Sequence, residues 1–456
     1  MLLWVLVGLL IGLLVFELIH FKKNVLEPSV IFTFAFVLLS VMALIFSDEW
    51  NLDLHLNTFL VVGGGVFEFF LVCLITKKVI NFFRRKKHGK KETDEDSCAT
   101  VLDDREVKIA SWKKVLCLIG IIISGIIYLS YVIKATGVEI NGLFDIPKAI
   151  SSFDTMTKFS ESDFNVDLPF LVTNLHVIII GLGYWFACLI AHNLACMKKV
   201  KILDVLNLFA CFVVSMLGGS RGHVIFIVIV GIAYFLVLIA KKKNFKNYIS
   251  AKFAKRVLII GAVLLCVFIP MARLLGRNVK ESPIEYMSIY CGAQMKNLDA
   301  YLQKHDPDDT SELFGEQTFM SLYRTVGKRL GIERFIYKSD IPFRIVNGHN
   351  LGNVYTTFYA YIHDFGYTGV VVMVFIMAVI SQFVFELVKV AAVKKRLNIL
   401  IMCYGLIVNA LFLSFFGEKF FAGINMATLR YIIVWVVCNF VFVSGMNIKS
   451  KLKKGA

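Results

Sequence analysis

Arg221 lies in the pentapeptide Gly218-Gly219-Ser220-Arg221-Gly222, between two apolar runs. A guanidinium is a planar fork that matches phosphate oxygens two at a time. The glycines allow a tight backbone path and leave space for a ligand beside it. A second reading fits equally: an arginine at a membrane edge reaches out to lipid headgroups. Further on, Arg344, His349, Asn350, Asn353, Tyr355, Tyr361, His363, Asp364-Phe365-Gly366 and Gly369 fall close together. Their imidazoles and carboxylate are the group types that take a proton from a hydroxyl nucleophile. They also suit an interfacial tyrosine belt followed by Asp364 as a helix cap. Arg273 and Arg277, one helical turn apart, either share an anion or anchor a helix at the headgroups. Glu418, Lys419 and Arg430 form a further charged group with the same two readings. His305-Asp306-Pro307-Asp308-Asp309 contains the DxD spacing of many metal-dependent sugar transferases. A Pro-containing acidic turn is more simply a solvated turn, so no metal site is assigned. Walker, dinucleotide and HExxH patterns are missing from any usable context, which leaves ATP-driven transport and metalloprotease chemistry without support.

The elements that must position these groups are membrane helices. Of 456 residues, 58% are apolar and 18% charged, and mean hydropathy is +0.73. Soluble domains run nearer 45–50% apolar and about 25% charged. Eleven apolar runs are visible, at 2–21, 29–47, 57–76, 115–133, 168–193, 202–218, 222–240, 257–272, 367–392, 397–416 and 427–447. A spanning helix needs about 20 such residues. The runs are continuous rather than alternating, which excludes a β-barrel. The expected fold is therefore an all-α polytopic membrane protein with about eleven transmembrane helices.

Charge orders the gaps. Those around Lys22 and Lys23, at 77–114, 197–201, 241–256 and 393–396, and the tail 448–456 are basic. Those at 48–56 and 134–167 are acidic, the latter with six acids against three lysines. The two classes alternate, so the positive-inside rule puts the N-terminus outside and the C-terminus inside. The net charge of +16 then reads as an orientation signal, not a nucleic-acid footprint. Eight of the ten cysteines lie in apolar runs, and Cys98 and Cys291 fall on opposite faces, so no disulfide framework is expected. The apolar N-terminus has no basic leader or cleavage site and reads as a retained span. Three regions follow: a membrane bundle over 1–272 with a cytoplasmic linker 77–114 and an external loop 134–167, a large external cap over 273–366, and a C-terminal bundle over 367–456. The cap carries helical stretches such as 286–304 and is too long for an idle loop. Residues 353–363 are amphipathic and are expected to re-enter the membrane or line its edge before the ninth span.

Arginines converging at the outer leaflet beneath a folded cap suit a phosphate-bearing lipid substrate. Outside the cell there is no ATP or nucleotide sugar, so a transfer there is driven by a bond already in the substrate. Gly219-Ser220-Arg221-Gly222, Gly352-Asn353-Val354-Tyr355-Thr356 and Asp364-Phe365-Gly366-Tyr367-Thr368-Gly369 resemble the Wzy-type polymerases of oligosaccharide repeat units, which build O-antigen, capsule and exopolysaccharide. The match is confined to these segments and to the plan of many spans with a late external loop.

The resemblance implies a GT-C-like glycosyltransferase of the bacterial cytoplasmic membrane, acting on its outer or periplasmic face. The growing chain on undecaprenyl diphosphate is the donor and a single lipid-linked repeat unit the acceptor. It implies a flippase and a chain-length regulator as pathway partners, and no cofactor. By this analogy Arg221 contacts diphosphate, and the 344–366 segment with Arg344, Asn353 and Tyr355 shapes the acceptor site; from their place at the outer edge, Arg273 and Arg277 are expected to support Arg221. O-antigen ligases carry His-Asn-x-Tyr-Leu at the corresponding place. Here Gly352 stands where that histidine would be, so the base is left open among His349, His363 and Asp364, or none. An O-antigen-type ligase and a lipid-linked oligosaccharide flippase are the alternatives.

Overall fold

The computed structural model describes residues 1–88, 106–142, 145–159, 168–197, 199–248, 270, 282–304, 311, 313–337, 341–393 and 396–443. Among the described residues it is an all-α membrane-type protein with one small hairpin. The helices are α1 Leu2–His20, α2 Pro28–Ile45, α3 Leu56–His88, α4 Ser111–Thr136, α5 Ile146–Phe159, α6 Phe170–Met197, α7 Ile202–Met216 and α8 Gly222–Lys242. There follow α9 Pro283–Cys291, α10 Ala293–Leu302, α11 Met320–Leu330, the strands β1 Arg344–Val346 and β2 His349–Gly352, then α12 Thr357–Val390, α13 Ile399–Phe412 and α14 Met426–Cys438.

Among the described residues, eight helices are long and apolar enough to cross a membrane: α1 to α4, α6, α8, α12 and α14 with its π-helical extension. The apolar runs 202–218 and 397–416 form shorter helices. At 15 residues, α7 rises only about 22 Å, short of a hydrocarbon core of about 30 Å. The run at 257–272, apart from Pro270, lies outside the described residues, as do Arg273, Arg277, Asp306, Asp308 and Cys98.

The bundle centres on α12 packed along α3, with α6 against α7, α8 and α14. Lipid is as apolar as leucine, so such helices associate through close packing rather than through expulsion of water. The contact shows it: Phe358 fills the space beside Gly65 and tilts against Phe36 at 5.0 Å, while Phe32 stacks on Phe69 at 4.3 Å.

α12 starts ten residues before the apolar run that predicts it. Its first segment, from Thr357, is buried among helices, and the chain breaks regular geometry at Gly366 (φ 64°, ψ −162°) before continuing to Val390. The amphipathic stretch 353–363 thus becomes the buried entry to a kinked helix.

At one end of the bundle, α9 and α10 pack on α2, and α10 also touches α3. This is the cap end. Phe46 and Trp50, stacked at 5.3 Å, meet Ala293 and Leu351 in a small core of their own. Asp299 of α10 accepts from the His55 backbone N–H (2.9 Å) and the Thr58 hydroxyl (2.7 Å) at the start of α3. A carboxylate there offsets the positive end of the helix dipole. Asn297 donates to the Val354 carbonyl (2.8 Å), tying the hairpin to α10. The hairpin turns through Asn347 (φ 50°) and Gly348 (φ 80°), the positive-φ pair of a type I′ turn.

Candidate functional site

Arg221 is the residue preceding α8, and only 5% of it is exposed. Its Nη2 donates to the hydroxyls of Tyr286 (2.9 Å) and Tyr290 (3.3 Å) on α9, and the guanidinium lies 5.8 Å from both ring centres. Tyr290 in turn stacks on Phe416 at 5.8 Å. The turn before Arg221 has one obligate glycine. Gly219 has φ 80°, and a Cβ there would sit 2.4 Å from that of Asp154 on α5. Its neighbour Gly218 packs against the Tyr128 hydroxyl and the His176 ring, themselves stacked at 4.1 Å. The pentapeptide is therefore a close-packed corner between α5, α6 and α9, with a cation beside a helix N-terminus. Both features favour an anion.

The other half of the site is the hairpin. His349 Nδ1 lies 2.9 Å from the Glu285 carboxylate on α9, and each side chain is about one-third exposed. Glu285 precedes Tyr286, so His349 and Arg221 reach the same turn of α9 from sides about 100° apart. That helix is fixed locally by Ser282, whose hydroxyl accepts from the Glu285 N–H (3.2 Å), with Pro283 in the first turn. A carboxylate on Nδ1 leaves the Nε2 edge of the ring for a substrate.

Arg344 and Tyr355 are neighbours: the arginine hydrogen-bonds the phenol, which also donates to the Pro342 carbonyl (3.2 Å). Burial raises the Tyr355 phenol above its usual range, and Arg344 pulls it part of the way back. Asn353 is half-buried between the hairpin and Tyr355. Burial and the charge of Arg344 lower Lys296, against the attraction of Asp299 and Asp53.

Asp364 is placed differently. Its residue is 4% exposed, and its carboxylate accepts from the backbone N–H of Gln317 (3.0 Å) and Thr318 (2.7 Å) and from the Ser311 hydroxyl (3.3 Å). His363 Nδ1 lies 3.2 Å from it. These contacts tie the loop before α11 to α12. Asp364 therefore works as an anchor between cap and membrane helix, with few lone pairs left for an incoming proton.

Three features escaped the sequence reading. Glu285, Tyr286 and Tyr290 looked like part of an ordinary helical stretch; only their i, i+1, i+5 spacing on one short helix links them to Arg221 and His349. Asp154 looked like one acid among six in a loop. Glu418 was seen, but its partners were not. Its carboxylate accepts from the N–H of Phe421 (2.8 Å) and Ala422 (2.7 Å), and burial pushes it up to about 7 against the pull of those bonds. Among the described residues no three His, Cys, Asp or Glu side chains come together as a metal site. No family model matches this chain, and no curated protein or solved structure shows significant similarity to it.

Proposed function

We propose that the chain is a membrane glycosyltransferase that joins lipid-diphosphate-linked oligosaccharide repeat units, a polysaccharide polymerase of the Wzy type. The cap end faces the outside of the bacterial cytoplasmic membrane, the N-terminus is outside, and the full bundle has about eleven spans. The observation that carries this reading is that Arg221, buried at a helix N-terminus, and His349, held by Glu285, meet on one turn of α9.

In the proposed reaction an acceptor sugar hydroxyl attacks the anomeric carbon of the donor's first sugar. The bond from that carbon to the diphosphate oxygen breaks, and undecaprenyl diphosphate leaves with the electron pair. Arg221 and the dipole of α8 neutralise the leaving charge, with Arg273 and Arg277 as proposed supports. His349, oriented through Nδ1 by Glu285, takes the hydroxyl proton at Nε2 and returns it to water. Among the three candidate bases this favours His349, since the Asp364 carboxylate is engaged by backbone donors and His363 lies against it. Arg344, Asn353 and Tyr355 then flank the acceptor.

The test is incubation of the purified protein with a lipid-linked repeat unit, with and without EDTA. A ladder spaced by one repeat, unaffected by EDTA and missing in Arg221→Ala, is expected. A single transfer to another acceptor identifies a ligase. Movement of the lipid across vesicles without a new bond identifies a flippase. Either result overturns the proposal.

A further inference from the structure

α1 carries a single acid, Glu17, one turn before its end away from the cap. It is 0% exposed, and neither carboxylate oxygen has a hydrogen-bond partner. The polar groups beside it are the hydroxyls of Ser29 and Thr33 on α2. Both residues are buried, and neither hydroxyl completes a hydrogen bond. Four oxygen atoms from two touching helices thus converge, the two hydroxyls within loose hydrogen-bonding reach of the carboxylate but none of them completing a bond of full geometry.

The charge nearby does not resolve this. Glu27 lies within electrostatic reach of Glu17 but is occupied by Lys77 (2.8 Å), Gln382 (3.2 Å) and Asn24 (3.3 Å). Glu386 is met by Arg84 and Lys389. Among the described residues no cationic side chain pairs with Glu17. An ionised carboxylate buried without a counter-charge is strongly disfavoured, and acids at such depth tend to mark sites. A carboxylate with hydroxyls is a hard oxygen donor set, the kind taken by s-block cations. Its surplus is one negative charge, which a monovalent ion cancels; a divalent ion would leave a positive excess beside Lys77.

We propose that Glu17, Ser29 and Thr33 hold a small monovalent cation, of which Na⁺ is the type, clamping α1 to α2 at the end of the bundle opposite the cap. The site is independent of the proposed sugar chemistry. It is tested by thermal unfolding of the purified full chain in NaCl, KCl or choline chloride at constant ionic strength. A saturable rise in melting temperature with Na⁺ over choline is expected, and Glu17→Gln abolishes it. Thr33→Val, which keeps the side-chain shape, shifts the Na⁺ titration to at least several-fold higher concentration and serves should Glu17→Gln fail to fold. Equal melting in Na⁺ and choline overturns the proposal. So does an infrared band of a protonated carboxyl that persists in saturating Na⁺ and vanishes in Glu17→Gln, because Glu17 is then a neutral acid and not an ion ligand.

Discussion

The two ends of the bundle satisfy their charges by different means. Away from the cap, charge meets charge. Lys114 and Asp204 form an ion pair with both residues buried, Glu27 takes Lys77, and Glu386 takes Arg84 and Lys389. At the cap end, neutral groups share that task with imidazole–carboxylate contacts: phenols lie against Arg221 and backbone N–H groups against Asp364 and Glu418, while His349 meets Glu285 and His55 meets Asp299. A buried ion pair holds two helices in register but cancels its own field. A charge held by neutral dipoles is kept in place while its field still reaches an incoming charged ligand.

The largest effect expected from breaking this contrast is at Lys114–Asp204. Replacing one partner, as in Lys114→Met, leaves a buried uncompensated charge and is expected to destabilise by about 3–5 kcal/mol. Thermal unfolding in detergent reads it, and Lys114→Met combined with Asp204→Leu should recover most of the loss. Equal destabilisation by the single and double variants would remove the pair from the account. Next comes Arg221. Arg221→Lys keeps the charge but loses the fork, and a loss of polymerisation of about 10²–10³-fold is expected, the usual effect of removing one such donor. Melting should change little. A variant as active as the parent would show that the arginine serves the headgroups alone.

The contrast was half legible in the sequence. Alternating gap charges sorted the basic and acidic ends, because Lys and Arg leave a compositional mark whatever their partners. Eight of the eleven predicted runs became helices of spanning length, since apolar length is a local property, while 202–218 and 397–416 formed shorter helices. Which charges meet which was not. Lys114 and Asp204 are 90 positions apart, and nothing local marks either as buried. The start of α12 at Thr357 was missed because Tyr359, Tyr361, His363 and Asp364 lower the hydropathy of a segment that is nevertheless packed among helices. Arg221 was identifiable through its glycines. Its partners Tyr286 and Tyr290 were not, because an aromatic pair on a helix looks the same whether it packs or binds.

A middle-sized effect separates two roles for Asp364. With its carboxylate accepting two backbone N–H bonds, Asp364→Asn loses charge-assisted contacts and is expected to cost about 1–3 kcal/mol. Activity and cap order, read by limited proteolysis of the loop before α11, should fall together. Loss of activity with unchanged proteolysis would instead make Asp364 the proton acceptor. At His349 the opposite pattern is expected: His349→Ala impairs turnover while melting and proteolysis stay put. Glu285→Gln should then move the pH profile of the reaction, because it changes the group facing Nδ1.

The smallest effect lies at Glu418, where the comparison is sharpest because the group is an acid with backbone partners and an elevated proton affinity. Its ordinary value of 4.5 is raised to about 7 in the folded protein, with burial as the main cause. Between those values the folded state holds a proton that the unfolded state has released. Stability from this group is therefore present below about pH 4.5 and lost as pH rises toward 7. Glu418→Gln cannot titrate, so relative to it the parent should lose a few °C of melting temperature across that window. Parallel melting curves for parent and variant from pH 4.5 to 7.5 would mean that Glu418 is ionised throughout. The two backbone N–H bonds and the charge of Lys419 would then outweigh burial, and the cap end would carry one more fixed negative charge.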